Sequence, residues 1–171
     1  MRLFIGIAIE PNDEIRKVIA ETKKLGLRSV SEDNLHINLK FLGEVEGDKI
    51  EEIKKALDVA MGFGNFDARL EGVGAFPDSN LIRVIWIGVK SEEIKRLAGI
   101  IENELERLGF NKEIHYIPHI TLARVPKRTE GLKKLVGEKD FGTQKIKDVH
   151  LIKSTLGPNG PTYEKIYSVK L

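Results

Sequence analysis

Cysteine is absent from the 171 residues, which excludes a disulfide scaffold, a thiolate nucleophile and any zinc site built on sulfur ligands. No apolar run approaches the roughly 20 residues needed to cross a bilayer. The opening run, Leu3 to Ile9, stops at Glu10 and Pro11 and has the length of a strand. A soluble, cytoplasmic protein without a signal peptide or membrane partner is therefore expected. Aromatic residues are scarce, at 6%, which weighs against a dedicated single-strand nucleic-acid binder. Phe76, Trp86 and Tyr163 are the candidates for stacking, and each fits a core position equally well. No glycine-rich phosphate loop lies between a strand and a helix, so nucleotide-binding folds lose their main support.

What is present is an ordinary globular balance, 41% hydrophobic and 32% charged, enough to fill a core and solvate a surface, and the length is that of one domain. Abundant Lys and Glu point to a thermophilic source. The formal net charge of +2 hides an asymmetry: residues 1–85 carry 12 basic against 15 acidic residues, whereas Arg107 to Lys153 carry 11 against five. A local basic excess on a nearly neutral chain suits a phosphate-bearing ligand better than indiscriminate coating of nucleic acid. A merely solvated lysine-rich face would give the same count.

Hydrophobic periodicity predicts a strand over 2–9, then a helix that starts at Pro11 to Glu14, with Ile15, Val18, Ile19, Thr22 and Leu25 on one stripe, and stops at Gly26. A strand over 35–42 and a helix over 47–61 follow. Runs over 66–75 and 81–89, separated by Phe76 to Asn80, predict a β-hairpin. Ser91, Glu92 and Glu93 open a helix with Ile94, Leu97, Ala98, Ile101, Leu105 and Leu108 on one stripe, closed by Gly109. Strands are predicted over 118–125, 143–153 and 162–170, with a short helical patch at 129–136. The order βαβαββαβαββ favours an α+β fold over a doubly wound parallel sheet.

Two of the four histidines share a pattern. His36, Ile37, Asn38, Leu39 and His119, Ile120, Thr121, Leu122 both read His, apolar, small hydrogen-bonding residue, apolar. Side chains alternate along a strand, so each segment turns an imidazole and a neutral hydrogen-bonding group to one face, roughly 6–7 Å apart. A lone strand histidine is most often structural, but two such strands are hard to explain by packing alone. If they lie side by side or face each other, one cleft holds two imidazoles and two neutral polar groups. Phosphodiester hydrolysis needs a base for the attacking water and an acid for the leaving alkoxide, and two imidazoles supply both without a metal or other cofactor. Thr121 and Asn38 would hold the non-bridging oxygens. His115 and His150 lack the pattern, and no histidine has a second ligand at metal-binding spacing on a helix.

These residues resemble the 2H phosphoesterases, specifically the LigT-like RNA 2′,3′-cyclic phosphodiesterases, also called 2′-5′ RNA ligases, whose mark is two His-x-Thr-x motifs about half a chain apart. The second motif is complete, with Pro118 before it and Ala123, Arg124, Val125 after it. Lys40 to Glu44, Arg2 to Ile7, and Phe76, Pro77 leading to Arg83 through Trp86 also resemble the family. The resemblance implies a bilobal α+β domain over 1–171, with two antiparallel-rich sheets, helices outside and a central cleft. It further implies RNA 2′,3′-cyclic phosphate ends as substrate, with nucleotides or tRNA halves as further candidates, a monomer, His36 as proton donor and His119 as base. Ligation of tRNA halves, or RNA binding without catalysis, are the alternatives. Asn38 departs from the family's Thr, and its amide can still donate to a phosphoryl oxygen. Arg124 is a candidate phosphate contact, yet strict alternation from His119 puts it on the opposite face unless a bulge redirects it.

Overall fold

In the computed structural model, which describes all 171 residues, the chain opens with β1 (Arg2–Ala8) and turns into α1 (Asp13–Lys24). The helix begins where expected because the Asn12 side chain accepts from the Ile15 amide at 3.0 Å, and the Asn12 amide also donates to the Phe141 carbonyl at 2.7 Å. Then come β2 (Arg28–Ser29), β3 (His36–Glu44), α2 (Ile50–Leu57), β4 (Phe66–Pro77), β5 (Ile82–Lys90), α3 (Glu92–Arg107), β6 (His119–Arg124), β7 (Gly137–Ile146), β8 (Asp148–Gly157) and β9 (Gly160–Lys170). Ser91 caps α3 by accepting from the Ile94 amide at 3.2 Å.

Four sequence expectations change. The helix over 47–61 is an α-helix of eight residues between two 3-10 turns, Gly47–Lys49 and Asp58–Ala60. The helical patch near 129–136 shrinks to a single 3-10 turn, Leu132–Lys134. The strand over 143–153 is two strands that part at Lys147, because β7 pairs with β4 while β8 pairs with β1 and β9. An apolar run does not reveal that its hydrogen-bonding partner changes midway. Finally, the two sheets are joined into one nine-stranded sheet, ordered β7-β4-β5-β6-β3-β1-β8-β9, with β2 beside β6.

The join is narrow. The two halves, β7-β4-β5-β6 and β3-β1-β8-β9, meet through the antiparallel pair Ile37 and Ile120. Both side chains are fully buried, in a hydrophobic cluster of 38 residues that draws on both halves and on the helices. The opposite face curls. Tyr163 on β9 is three strand spacings from β3, about 14 Å on a flat sheet, yet its ring centroid lies 5.2 Å from that of His36. Asn34, just before β3, also donates to the Pro161 carbonyl at 2.8 Å. The face away from the helices is thus a concave cleft with the Ile37–Ile120 junction at its middle. No helix is long and apolar enough to cross a membrane.

Because the junction is a single pair, Ile37→Ala should cost about 2–5 kcal/mol, the usual range for truncating a fully buried isoleucine. The midpoint of urea unfolding is the measurement, and an unchanged midpoint would show that the halves hold together by other contacts.

Candidate active site

β3 and β6 lie side by side and antiparallel, with Ile37 opposite Ile120. One residue beyond that pair in either direction, the register sets His36 across from Thr121 and His119 across from Asn38, all four on the face opposite the buried isoleucines. The two histidines are then diagonal neighbours, at about 7–8 Å between backbones. The charge of His119 also acts on His36. The structure therefore brings together His36, Asn38, His119 and Thr121, as the alternation of each strand predicts.

Both imidazoles are pinned in the same way. His36 Nδ1 lies 2.7 Å from the Asn34 carbonyl oxygen, and His119 Nδ1 lies 2.7 Å from that of Ile117. A carbonyl can only accept, so each Nδ1 carries its hydrogen and each Nε2 is left for proton transfer. Aromatic rings bracket each imidazole. Phe4 and Tyr163 stand 4.7 and 5.2 Å from His36, and Phe76 and Trp86 stand 5.0 and 6.1 Å from His119, centroid to centroid. The three aromatics noted in the sequence thus serve the cleft. Phe4 and Arg2 were hidden in a continuous apolar opening run, and only the outward alternation of Arg2, Phe4 and Gly6 on β1 signals them.

Arg124 reaches the cleft face through the bulge that strict alternation would have required. Opposite β6, the pairing passes from Ile85↔Ala123 to Trp86↔Thr121 and skips Leu122. Leu122 and Ala123 are both fully buried. This β-bulge puts two consecutive residues on the core face and returns Arg124 to the face of His119 and Thr121. The first motif has the matching bulge: Ile5 pairs with Lys40 and Gly6 with Asn38, skipping Leu39. There the bulge turns Lys40 inward, where its Nζ donates to Glu102 Oε1 at 2.7 Å and to the Asn111 carbonyl at 2.6 Å. It also sets Phe41 in the position equivalent to Arg124, with the Arg2 guanidinium 5.2 Å above the Phe41 ring.

The electrostatics follow from this placement. Burial holds His36 below the ordinary imidazole value of 6.5, the charges of His119 and Arg124 lower it further, and the hydrogen bond to Asn34 opposes them. Burial pushes the Tyr163 phenol up, against the pull of Arg124 and Arg2. Two guanidinium groups therefore act on the His36 side of the cleft. Elsewhere in the chain, no three His, Asp or Glu side chains converge as a metal site.

The comparisons with known proteins fit the duplicated geometry. The family described as LigT like Phosphoesterase matches twice, over residues 5–86 and 87–163, one copy for each histidine motif. An RNA 2′,3′-cyclic phosphodiesterase of Methanocaldococcus jannaschii is 42% identical, with 97% of this chain and 98% of that protein covered. One from Archaeoglobus fulgidus is 35% identical, again covering 97% and 98%. Among solved structures, TT0787 of Thermus thermophilus superposes with a TM-score of 0.85 at 28% identity, covering 100% of this chain and 98% of that one. Escherichia coli LigT complexed with 3′-AMP gives 0.78 at 25% identity, covering 99% and 97%. With two imidazole motifs related across one strand junction, and likeness running the length of the chain, the protein belongs to the LigT-like phosphoesterase family.

Proposed function

We propose that the protein is an RNA 2′,3′-cyclic phosphodiesterase that opens cyclic phosphate ends to 2′-phosphates by two-histidine acid/base catalysis. The observation that carries this reading is the pair of imidazoles, diagonal across the Ile37–Ile120 junction, each with Nδ1 committed to a carbonyl and Nε2 free. The names of the archaeal relatives and the 3′-AMP held by the Escherichia coli neighbour support the substrate class.

Water attacks the phosphorus and gives a proton to Nε2 of one imidazole. The bond from phosphorus to the 3′ oxygen breaks, and Nε2–H of the other imidazole protonates the departing oxygen. Following the family resemblance, His119 is the base and His36 the donor. The proton moved from one ring to the other returns through solvent. Burial and the charges of His119 and Arg124 lower the proton affinity of His36. An entering phosphate anion opposes those two charges and favours loading the pair with the single proton it needs. A donor with lowered proton affinity then gives that proton up readily. The Asn38 amide, the Thr121 hydroxyl and Arg124 meet the charge that builds on the non-bridging oxygens.

Incubating the protein with a 2′,3′-cyclic nucleotide in the presence of a chelator should yield the 2′-phosphate as sole product by phosphorus NMR. A 3′-phosphate product, or no turnover, contradicts the reading.

A further inference from the structure

The carbonyls that pin the two imidazoles are supported very differently. Asn34, which holds His36, lies in a 3-10 turn, Glu32–Asn34, closed by the bond from the Asn34 amide to the Ser31 carbonyl, and its side chain is tied to Pro161. Ile117, which holds His119, stands near the end of a connection from α3 to β6 with no helix or strand between Phe110 and Pro118. Phe110 and Tyr116 pack against the core, but every residue from Asn111 to His115 is exposed, Ile114 by 86%. What holds the middle of the connection is polar. Lys40 Nζ donates to the Asn111 carbonyl at 2.6 Å and to Glu102 Oε1 at 2.7 Å, and the same Oε1 accepts from the Glu113 amide at 2.6 Å. Three segments, β3, α3 and the connection, therefore meet at one carboxylate oxygen. On the outer side Lys112 adds only an exposed bond to Asn103 at 3.1 Å, which is weak in water. Stability does not account for the pair. The Lys40 and Glu102 side chains are 8% and 14% exposed, and apolar residues of similar volume are often as stable or more stable in place of a buried ion pair. Burial raises the Glu102 carboxyl, yet the bonds from Lys40 and the Glu113 amide, with the charges of Lys40 and Lys112, outweigh it and hold the group below its ordinary value.

We infer that Lys40 is a positioning residue for His119: through Glu102 it fixes the connection that presents the Ile117 carbonyl, and with it the Nδ1–H form that leaves Nε2 of His119 as the base. The first histidine motif thereby carries the anchor of the second, and the bulge at Leu39 is what turns that anchor inward. The inference rests on the two-histidine reading and extends it to a side chain whose hydrogen bonds go to Glu102 and Asn111 and to neither imidazole.

Combining Lys40→Met with Glu102→Leu removes the pair without leaving a lone buried charge. The double variant should keep or exceed the parental midpoint of urea unfolding. Its kcat on a 2′,3′-cyclic nucleotide should fall by about 10- to 100-fold at nearly constant KM, the scale of a reacting group misplaced by about an ångström. In nitrogen NMR, at a pH where both rings are neutral, His119 should pass from the single Nδ1–H form to a mixture of tautomers while His36 keeps its form. A parental kcat would overturn the assignment whatever the midpoint does, and so would a His119 that keeps its tautomer. The unaltered protein gives an independent check. Its Glu113 amide, on an exposed segment, should exchange slowly with solvent because Glu102 holds it; exchange at the rate of an unbonded amide would also overturn the assignment. Neither the tautomer nor the exchange readout needs turnover. A protein that opens no cyclic phosphate would therefore refute the activity, and these two readouts would still decide the positioning.

Discussion

Replacing either His36 or His119 by alanine should lower kcat on a 2′,3′-cyclic nucleotide by about 10²–10⁴, the usual contribution of a positioned acid or base. Both side chains project from strands into the open face, and the core beneath them is formed by Ile37 and Ile120. Each variant should therefore keep the circular dichroism and unfolding midpoint of the parent. The two losses should not add, because a base without an acid, or an acid without a base, leaves one end of the displacement unassisted. The double variant should be little slower than the worse single one. A single variant within tenfold of the parent would remove that histidine from the chemistry.

Arg124→Ala should cost about 10²–10³ in kcat, as for removal of one donor aimed at developing charge, and it should also move the pH profile. On the acid side activity fails once both imidazoles are protonated, because no base remains. His36 is one of the two, and it lies below 6.5 through burial, the His119 charge and the Arg124 charge. The acid limb of kcat/KM in the parent should therefore have its midpoint below 6.5. Removing Arg124 takes a cation away from His36, favours the protonated ring and raises its pKa, so the limb should shift to higher pH. Arg124→Lys keeps the charge and should leave the limb in place while still slowing kcat, since an ammonium lacks the planar two-point donor. An acid limb that does not respond to Arg124→Ala would show that Arg124 acts at a distance from His36.

Much of the site was legible because strand alternation is a local rule. His36 with Asn38 and His119 with Thr121 share their faces by period-two geometry alone, and the buried Ile37, Leu39, Ile120 and Leu122 between them agree. Helix limits marked by Asn12 and Ser91 were legible for the same reason: a capping side chain bonds an amide three residues on. Arg124 could be assigned to the cleft only on condition of a bulge, because a bulge depends on how a neighbouring strand pairs, and nothing in the run from His119 to Val125 announces that Leu122 will be skipped. Arg2 and Phe4 were lost in an apolar run whose outward residues become cleft residues only after β1 is flanked by β3 and β8.

The sequence by itself determined the chemistry on offer: imidazole in place of thiol, two motifs 83 residues apart, each with its polar partner, and an α+β order of elements. Only the tertiary structure decided how these act together. Pairing Ile37 with Ile120 turns two remote motifs into diagonal neighbours, and paired bulges set Arg124 and Phe41 into one cleft. The curl of the sheet brings Tyr163 onto His36. Facing and capping are properties of a few consecutive residues. Strand partnership, bulge position and curvature are set by packing between segments far apart in the chain, so they exist only once the whole fold has formed.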